Sequence, residues 1–239
     1  MYEVGALRVT KDFEQEAGPE FSKKQQEKLA RKILEEQYLR RENLGKGKAA
    51  EVWFSDHPAF GTKLCAKTNY NSEASVNSPG REFDLQQEYY EAGVRVPKVW
   101  MLIEGKEGNG QKTQDFIIME TINGPNLKEL LDQREQEGKK FTEEEYQKIK
   151  DGIKQQIDLA HQAGLYHRDL HLENIMVNDE LNVYLIDFGD ATSALASSED
   201  FEIYRTDTIR KGKPVQLVFP KDENILGEFT REVNERKLV

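Results

Sequence analysis

Residues 166–191 constrain this chain more than any other stretch. They read Tyr-His-Arg-Asp-Leu-His-Leu-Glu-Asn-Ile-Met-Val, then Asn-Asp-Glu-Leu-Asn, then Val-Tyr-Leu-Ile-Asp-Phe-Gly-Asp-Ala. Two short apolar runs, 175–177 and 183–186, flank the turn-prone Asn178-Asp179, which is the pattern of a hairpin of two buried strands. Antiparallel pairing brings Asp169 and Asn174, ahead of the first strand, to the same edge as Asp187, at the end of the second. Three oxygen-bearing side chains on one edge suit a hard cation such as Mg2+, which shares the rest of its shell with phosphates and water.

His167-Arg168-Asp169-Leu170, with Asn174 five residues after the Asp and Asp187-Phe188-Gly189 beyond, resembles the catalytic loop and metal-binding turn of the protein kinase-like superfamily. The resemblance implies an α+β, bilobal protein kinase-like fold: an antiparallel-sheet N-lobe with one main helix, and a reduced, mostly helical C-lobe. Residues 1–37 then form an N-terminal arm and charged helix, 38–121 the N-lobe and 122–239 the C-lobe. Little chain follows Asp187, and it holds no Ala-Pro-Glu motif. That abbreviated tail resembles RIO-type and other atypical kinases, including abbreviated bacterial ones.

Composition narrows the field. Hydrophobic residues are 37% of the chain, enough for a core, while the net charge of -10 argues against a large nucleic-acid surface. Cys65 is the one cysteine, so no internal disulfide forms, and no Cys/His cluster has zinc-ligand spacing. A basic-then-apolar leader is missing and no run approaches 18 apolar residues, so the expectation is a cytoplasmic protein with no membrane span.

Taken in order, residues 1–18 show no periodic pattern and are expected to be a mobile arm. Residues 19–37 read as a charged helix with a narrow apolar stripe of Phe21, Leu29, Ile33 and Leu34, packing on the N-lobe rather than docking a partner. Leu44-Gly45-Lys46-Gly47-Lys48-Ala49-Ala50-Glu51-Val52 resembles the kinase glycine-rich loop, whose backbone N–H groups cover phosphates. The strand Lys63-Leu64-Cys65-Ala66-Lys67 resembles the one carrying the ATP-contacting lysine. Its period of two sets Cys65 on the face of Lys67, where it would roof the adenine with Val52. Residues 81–92 read as a helix supplying the acid that holds Lys67, either Glu82, favoured by resemblance to RIO-type kinases, or Glu88.

Residues 99–103 and 116–119 read as strands joined by a polar connection, 104–115. Met119-Glu120-Thr121-Ile122-Asn123-Gly124-Pro125 resembles the hinge between kinase lobes, with backbone groups of Glu120 and Ile122 on the adenine edge and Met119 guarding the rear. Asn126 caps a helix from Leu127, and Thr142 with Glu145 caps a second whose apolar face includes Ile149, Ile153 and Ile157. His161 reads as a polar-face residue of that helix. Residues 192–212 read as loop and 222–233 as a short amphipathic helix.

The implied roles are those of an ATP- and Mg2+-dependent kinase. Asp169 is the base for the acceptor hydroxyl, Lys67 with Glu82 grips the phosphates, Asn174 and Asp187 hold the metal, and Met176 floors the adenine. His167 and Phe188 stack structurally. His171 stands where serine/threonine protein kinases carry lysine, a feature shared with aminoglycoside and choline phosphotransferases. Three functions fit these residues: a compact serine/threonine protein kinase with a protein substrate, a small-molecule kinase, or an ATPase-only regulator.

Overall fold

The computed structural model describes residues 2–16, 22–39, 43–46, 50–56, 63–69, 79–107, 112–193, 204–210, 213–218 and 221–239. The chain divides into two compact units: unit 1 holds Met1–Gln87 and Pro97–Thr121, and unit 2 holds Glu88–Val96 and Ile122–Val239.

Unit 1 is built on an antiparallel sheet of six strands. They are β1 (Tyr2–Val9), β2 (Asn43–Lys46), β3 (Ala50–Asp56), β4 (Lys63–Asn69), β5 (Val99–Glu107) and β6 (Lys112–Glu120), in the order β1-β5-β6-β4-β3-β2. Both faces are covered by helices, because alternate residues of the central strands are apolar on both sides. On one face Cys65, Leu102, Ile117 and Met119 pack with Phe83 of α3 (Pro79–Glu91). On the other, Ala66, Ile103, Phe116 and Ile118 meet Phe13 of α1 (Lys11–Glu16) and Leu29 and Ile33 of α2 (Lys23–Leu39). Trp100 and Met101 are neighbours in sequence yet join the same cluster. The register shift between Val99 and Met101 accounts for this, since a bulge turns two successive side chains to one face.

The N-terminal residues overturn the expectation of a mobile arm. β1 pairs with β5 from Tyr2 opposite Glu107 to Val9 opposite Met101, and Val4, Leu7 and Val9 pack against the second cluster. Gly5 is the extra residue in a register shift between Val4 and Ala6, so the apolar positions change phase and the alternation that announces a strand is broken. The charged helix packs as expected: Leu29 and Ile33 are buried, each contributing about 2 kcal/mol of apolar burial. Phe21 lies outside the described residues. The polar connection 104–115 is shorter than read, because β5 runs on to Glu107 and β6 begins at Lys112.

Unit 2 contains α4 (Leu127–Gln136), α5 (Glu143–Gln162), the hairpin β7 (Ile175–Val177) and β8 (Val183–Leu185), the hairpin β9 (Tyr204–Arg210) and β10 (Lys213–Val218), and α6 (Asn224–Glu235). Asn126 and Thr142 cap α4 and α5 through full capping boxes with Glu129 and Glu145. The α5 face with Ile149, Ile153 and Ile157 is buried, and Tyr146 of α5 stacks on Phe229 of α6 with ring centres 5.6 Å apart. β9 and β10 correct the reading of 192–212 as loop: Tyr204–Arg210 pairs antiparallel with Lys213–Val218. Among the described residues, no helix is long and apolar enough to cross a membrane.

Candidate active site

In unit 1 the site is a buried ion pair on the α3 face of the sheet. Lys67 leaves β4 beside Cys65 and bonds through Nζ to Glu82 Oε1. Both side chains are buried, Glu82 almost completely at 1% exposure. Glu88, the other acid considered for this lysine, is exposed. Cys65 stands 3.3 Å from Thr121 Oγ1. Burial raises its thiol pKa, against a smaller lowering by Thr121, so this thiol is not activated as a nucleophile. Met119 is tied in place by Gln86, whose Nε2 is 3.7 Å from the sulfur and 2.6 Å from Pro97 O. The Glu120 amide donates to Lys98 O at 2.8 Å, so any adenine contact of Glu120 falls to its carbonyl. Gly45, Lys46 and Val52 lie on β2 and β3, where Gly45 pairs with Val52 and Lys46 with Glu51. Gly47 lies outside the described residues.

In unit 2 the β7–β8 hairpin brings Asp169, Asn174 and Asp187 together. Asn174 ends a single 3₁₀ turn, Leu172–Asn174, and its Nδ2 donates to Asp169 O at 2.8 Å and Asp169 Oδ2 at 3.4 Å. That commits the amide nitrogen and leaves Oδ1 as an acceptor. The Ile186 amide donates to Asn174 O at 3.0 Å, which ties the end of β8 to the start of β7 beside Asp187. Burial raises the Asp169 pKa; His171 opposes this shift, while the negative charges of Asp190 and Asp187 reinforce it. His171 Nε2 is 3.8 Å from Asp169 Oδ2, and its Nδ1 accepts from the Glu173 amide at 3.3 Å. Among the described residues no group of three or more His, Cys, Asp and Glu side chains forms a metal cage. Two protein oxygens, one carboxylate and one amide, suit Mg2+, which keeps water and phosphate oxygens for the rest of its octahedron.

The hinge residues approach this hairpin closely. Met176 bridges Asn126, and the Val177 amide donates to Pro125 O at 3.0 Å. Gly124 has φ +145°, and a Cβ there would lie 2.0 Å from Val177 O, so only glycine fits. Ile122 is buried at the start of this segment.

The catalytic loop has a support that the sequence did not reveal. Asp222, ahead of α6, accepts from the His167 amide at 2.9 Å and the Arg168 amide at 2.8 Å. The same carboxylate lies 3.1 Å from His161 Nε2. His161 is therefore not simply a polar-face residue: it is half-buried, paired with Asp222, and its ring lies against Tyr166. Burial disfavours its protonation, but Asp222, with Glu223 and Asp158, outweighs this and raises its pKa. Burial likewise works against the Asp222 charge, yet His161, His167 and the two amides bring its pKa below the ordinary carboxylate value. Arg168 and Asp187 have φ of 68° and 67°, a left-handed conformation uncommon outside glycine. Asp222 fixes the first of them. His167 Nε2 donates to Ile186 O at 2.9 Å, and its ring lies tilted against Phe188, which in turn lies tilted against Tyr89.

The hairpin with Asp169, Asn174 and Asp187, and the Lys67–Glu82 pair joining β4 to α3, are arrangements of the kinase type. The comparisons agree. A family model described as protein kinase domain matches residues 38–209, and the chain belongs to the protein kinase family. It is 37% identical over 93 residues to a "Probable serine/threonine-protein kinase" of Dictyostelium discoideum, covering 38% of this chain and 8% of that protein. It is 28% identical over 166 residues to another so described from Bifidobacterium longum, covering 68% of this chain and 21% of that protein. A similar relative in Streptomyces coelicolor is 28% identical over 149 residues, covering 62% of this chain and 21% of that protein. The chain thus spans 8% to 21% of the length of these relatives. Among solved structures, WaaP in complex with acyl carrier protein superposes with a TM-score of 0.52 at 13% identity, covering 81% of this chain and 75% of that one. At that identity the likeness speaks to the fold alone.

Proposed function

We propose that this chain is an ATP- and Mg2+-dependent serine/threonine protein kinase. The observation that carries the proposal is the pair of arrangements at its two sites: Lys67 held by Glu82, and Asn174 oriented by Asp169 next to Asp187. The relatives' shared description as serine/threonine-protein kinases favours a protein hydroxyl over a small-molecule acceptor. A reduced, cytoplasmic setting suits a chain that carries its one thiol unoxidised.

Lys67 neutralises charge on the α- and β-phosphates, and Glu82 keeps its ammonium aimed there. Gly45, Lys46 and Gly47 cover the phosphates. In unit 1, Val52 and Cys65 are the residues for the adenine ring, with Met119 for its rear and the Glu120 carbonyl for its polar edge; in unit 2, Met176 and the Ile122 amide are the residues with adenine roles. Asn174 Oδ1 and the Asp187 carboxylate would hold Mg2+, which would neutralise charge gathering on the phosphate oxygens. Asp169 accepts the hydroxyl proton at its carboxylate while the acceptor oxygen bonds to the γ-phosphorus and ADP leaves with the bridging oxygen. A carboxyl whose pKa is raised lies nearer working pH and suits a general base.

The test is incubation with γ-labelled ATP and Mg2+, first alone and then with a protein mixture. Label on protein serine or threonine is the expected result. Label on neither protein nor free phosphate, in a sample whose melting temperature does not rise with Mg-ATP, would overturn the reading.

A further inference from the structure

We propose that Arg8 of β1 is a positioning residue that clamps α3 in the register where Glu82 meets Lys67. This rests on reading Lys67 and Glu82 as the phosphate-gripping pair. The guanidinium forks onto Asp84, with Nη1 donating to Oδ2 at 3.3 Å and Nη2 to Oδ1. It also lies over the Phe83 ring, 5.1 Å from its centre. A Cβ added at Gly80 would sit 4.0 Å from Arg8 Nη1. Positions 80, 83 and 84 are spaced i, i+3 and i+4, one stripe along the first turns of α3, so a single side chain spans the helical segment that carries Glu82.

Arg8 is itself anchored. It sits opposite Leu102 in the β1–β5 ladder, and Leu102 packs with Phe83 in the cluster beneath α3. Rotating or withdrawing α3 would therefore break the Asp84 fork and the Phe83 stack along with the Lys67–Glu82 pair. An exposed ion pair alone holds little. Here the pair is two-pronged and joined by a cation–π contact, which together shift an opening equilibrium about five- to thirtyfold.

Cys65 reports on that opening without any need for catalysis. It is the only cysteine of the chain, is buried, and packs in the same cluster as Phe83. Full-length wild type, Arg8→Glu, the charge swap Arg8→Glu/Asp84→Arg, and Asp12→Lys are treated with an aromatic disulfide reagent, and the rate of Cys65 modification is followed. Asp12→Lys breaks a different ion pair of this unit, Asp12 Oδ2 to Lys98 Nζ at 3.2 Å, and leaves α3 untouched. Arg8→Glu should react about five- to thirtyfold faster, the swap should restore slow reaction, and Asp12→Lys should match wild type. In transfer assays Arg8→Glu should lower kcat more than it changes KM for ATP, again with recovery in the swap. Wild-type labelling in Arg8→Glu, equal acceleration in Asp12→Lys, or no recovery in the swap would each overturn the clamp. If the wild type transfers no phosphate while the labelling pattern holds, the functional reading fails and the clamp stands.

Discussion

Two charge pairs lie among the described residues at the candidate site, the buried Lys67–Glu82 of unit 1 and the part-buried His161–Asp222 of unit 2, and they are built for different work. The first joins an ammonium on β4 to a carboxylate on the adjoining α3. The second joins a titratable imidazole to a carboxylate whose other bonds go to the His167 and Arg168 amides, so it shapes backbone. In the proposed function the first pair handles phosphate, while the second holds the backbone of His167 and Arg168. The difference teaches that a side chain's charge in a kinase-type site can be spent on the polypeptide as much as on the substrate.

The largest effect should come from breaking the first pair. Glu82→Ala leaves Lys67 buried with its main partner gone and should lower unfolding free energy by about 4 kcal/mol, read by denaturant unfolding. Asp222→Ala should be nearly as severe, about 3 kcal/mol, since two loop amides lose a charged acceptor. Unlike Glu82→Ala it should also slow transfer without weakening Mg-ATP binding. Equal loss of nucleotide affinity in both variants would erase the distinction between the pairs.

A pH series sharpens the comparison, because the second pair contains an imidazole, the side chain whose ordinary pKa lies nearest neutrality. The His161 pKa is raised by Asp222, so its stabilisation is complete below the ordinary imidazole pKa and is lost as pH rises through the elevated one. The Asp222 pKa is lowered, so its share is present above the ordinary carboxylate pKa and is lost as pH falls through the depressed one. Melting temperature should therefore decline in wild type as pH rises through the raised His161 pKa, and His161→Gln should remove that decline while keeping the acid limb. The smallest effect belongs to exposed pairs such as Lys154–Asp158, 2.5 Å apart on α5. Lys154→Ala should change stability by under about 0.5 kcal/mol in thermal melts.

The two pairs also differ in how far the sequence discloses them. The Lys67 and Glu82 positions are implied by resemblance to kinase and RIO-type segments, with Glu88 left open beside Glu82, and the β7–β8 hairpin follows from apolar runs around a turn whose Asn178 Oδ1 accepts from the Asn182 amide at 2.8 Å. Asp222 carries no such mark. It reaches its partners across 61, 55 and 54 residues, and an acid ahead of a short helix looks like any solvated acid until its burial is known. β1 stayed hidden because the bulge at Gly5 breaks its alternation. Arg8 accordingly reads as a charge in an arm, although from β1 it contacts Phe83 and Asp84 of the helix that carries Glu82.

The central claim is that Asp169 addresses the acceptor hydroxyl while other groups hold the nucleotide. Asp169→Asn tests it most directly, with γ-label transfer to protein and Mg-ATP binding measured on the same preparation. Transfer should fall on the order of 10²- to 10⁴-fold with binding close to wild type. Wild-type transfer by Asp169→Asn, or loss of binding in step with transfer, would contradict it.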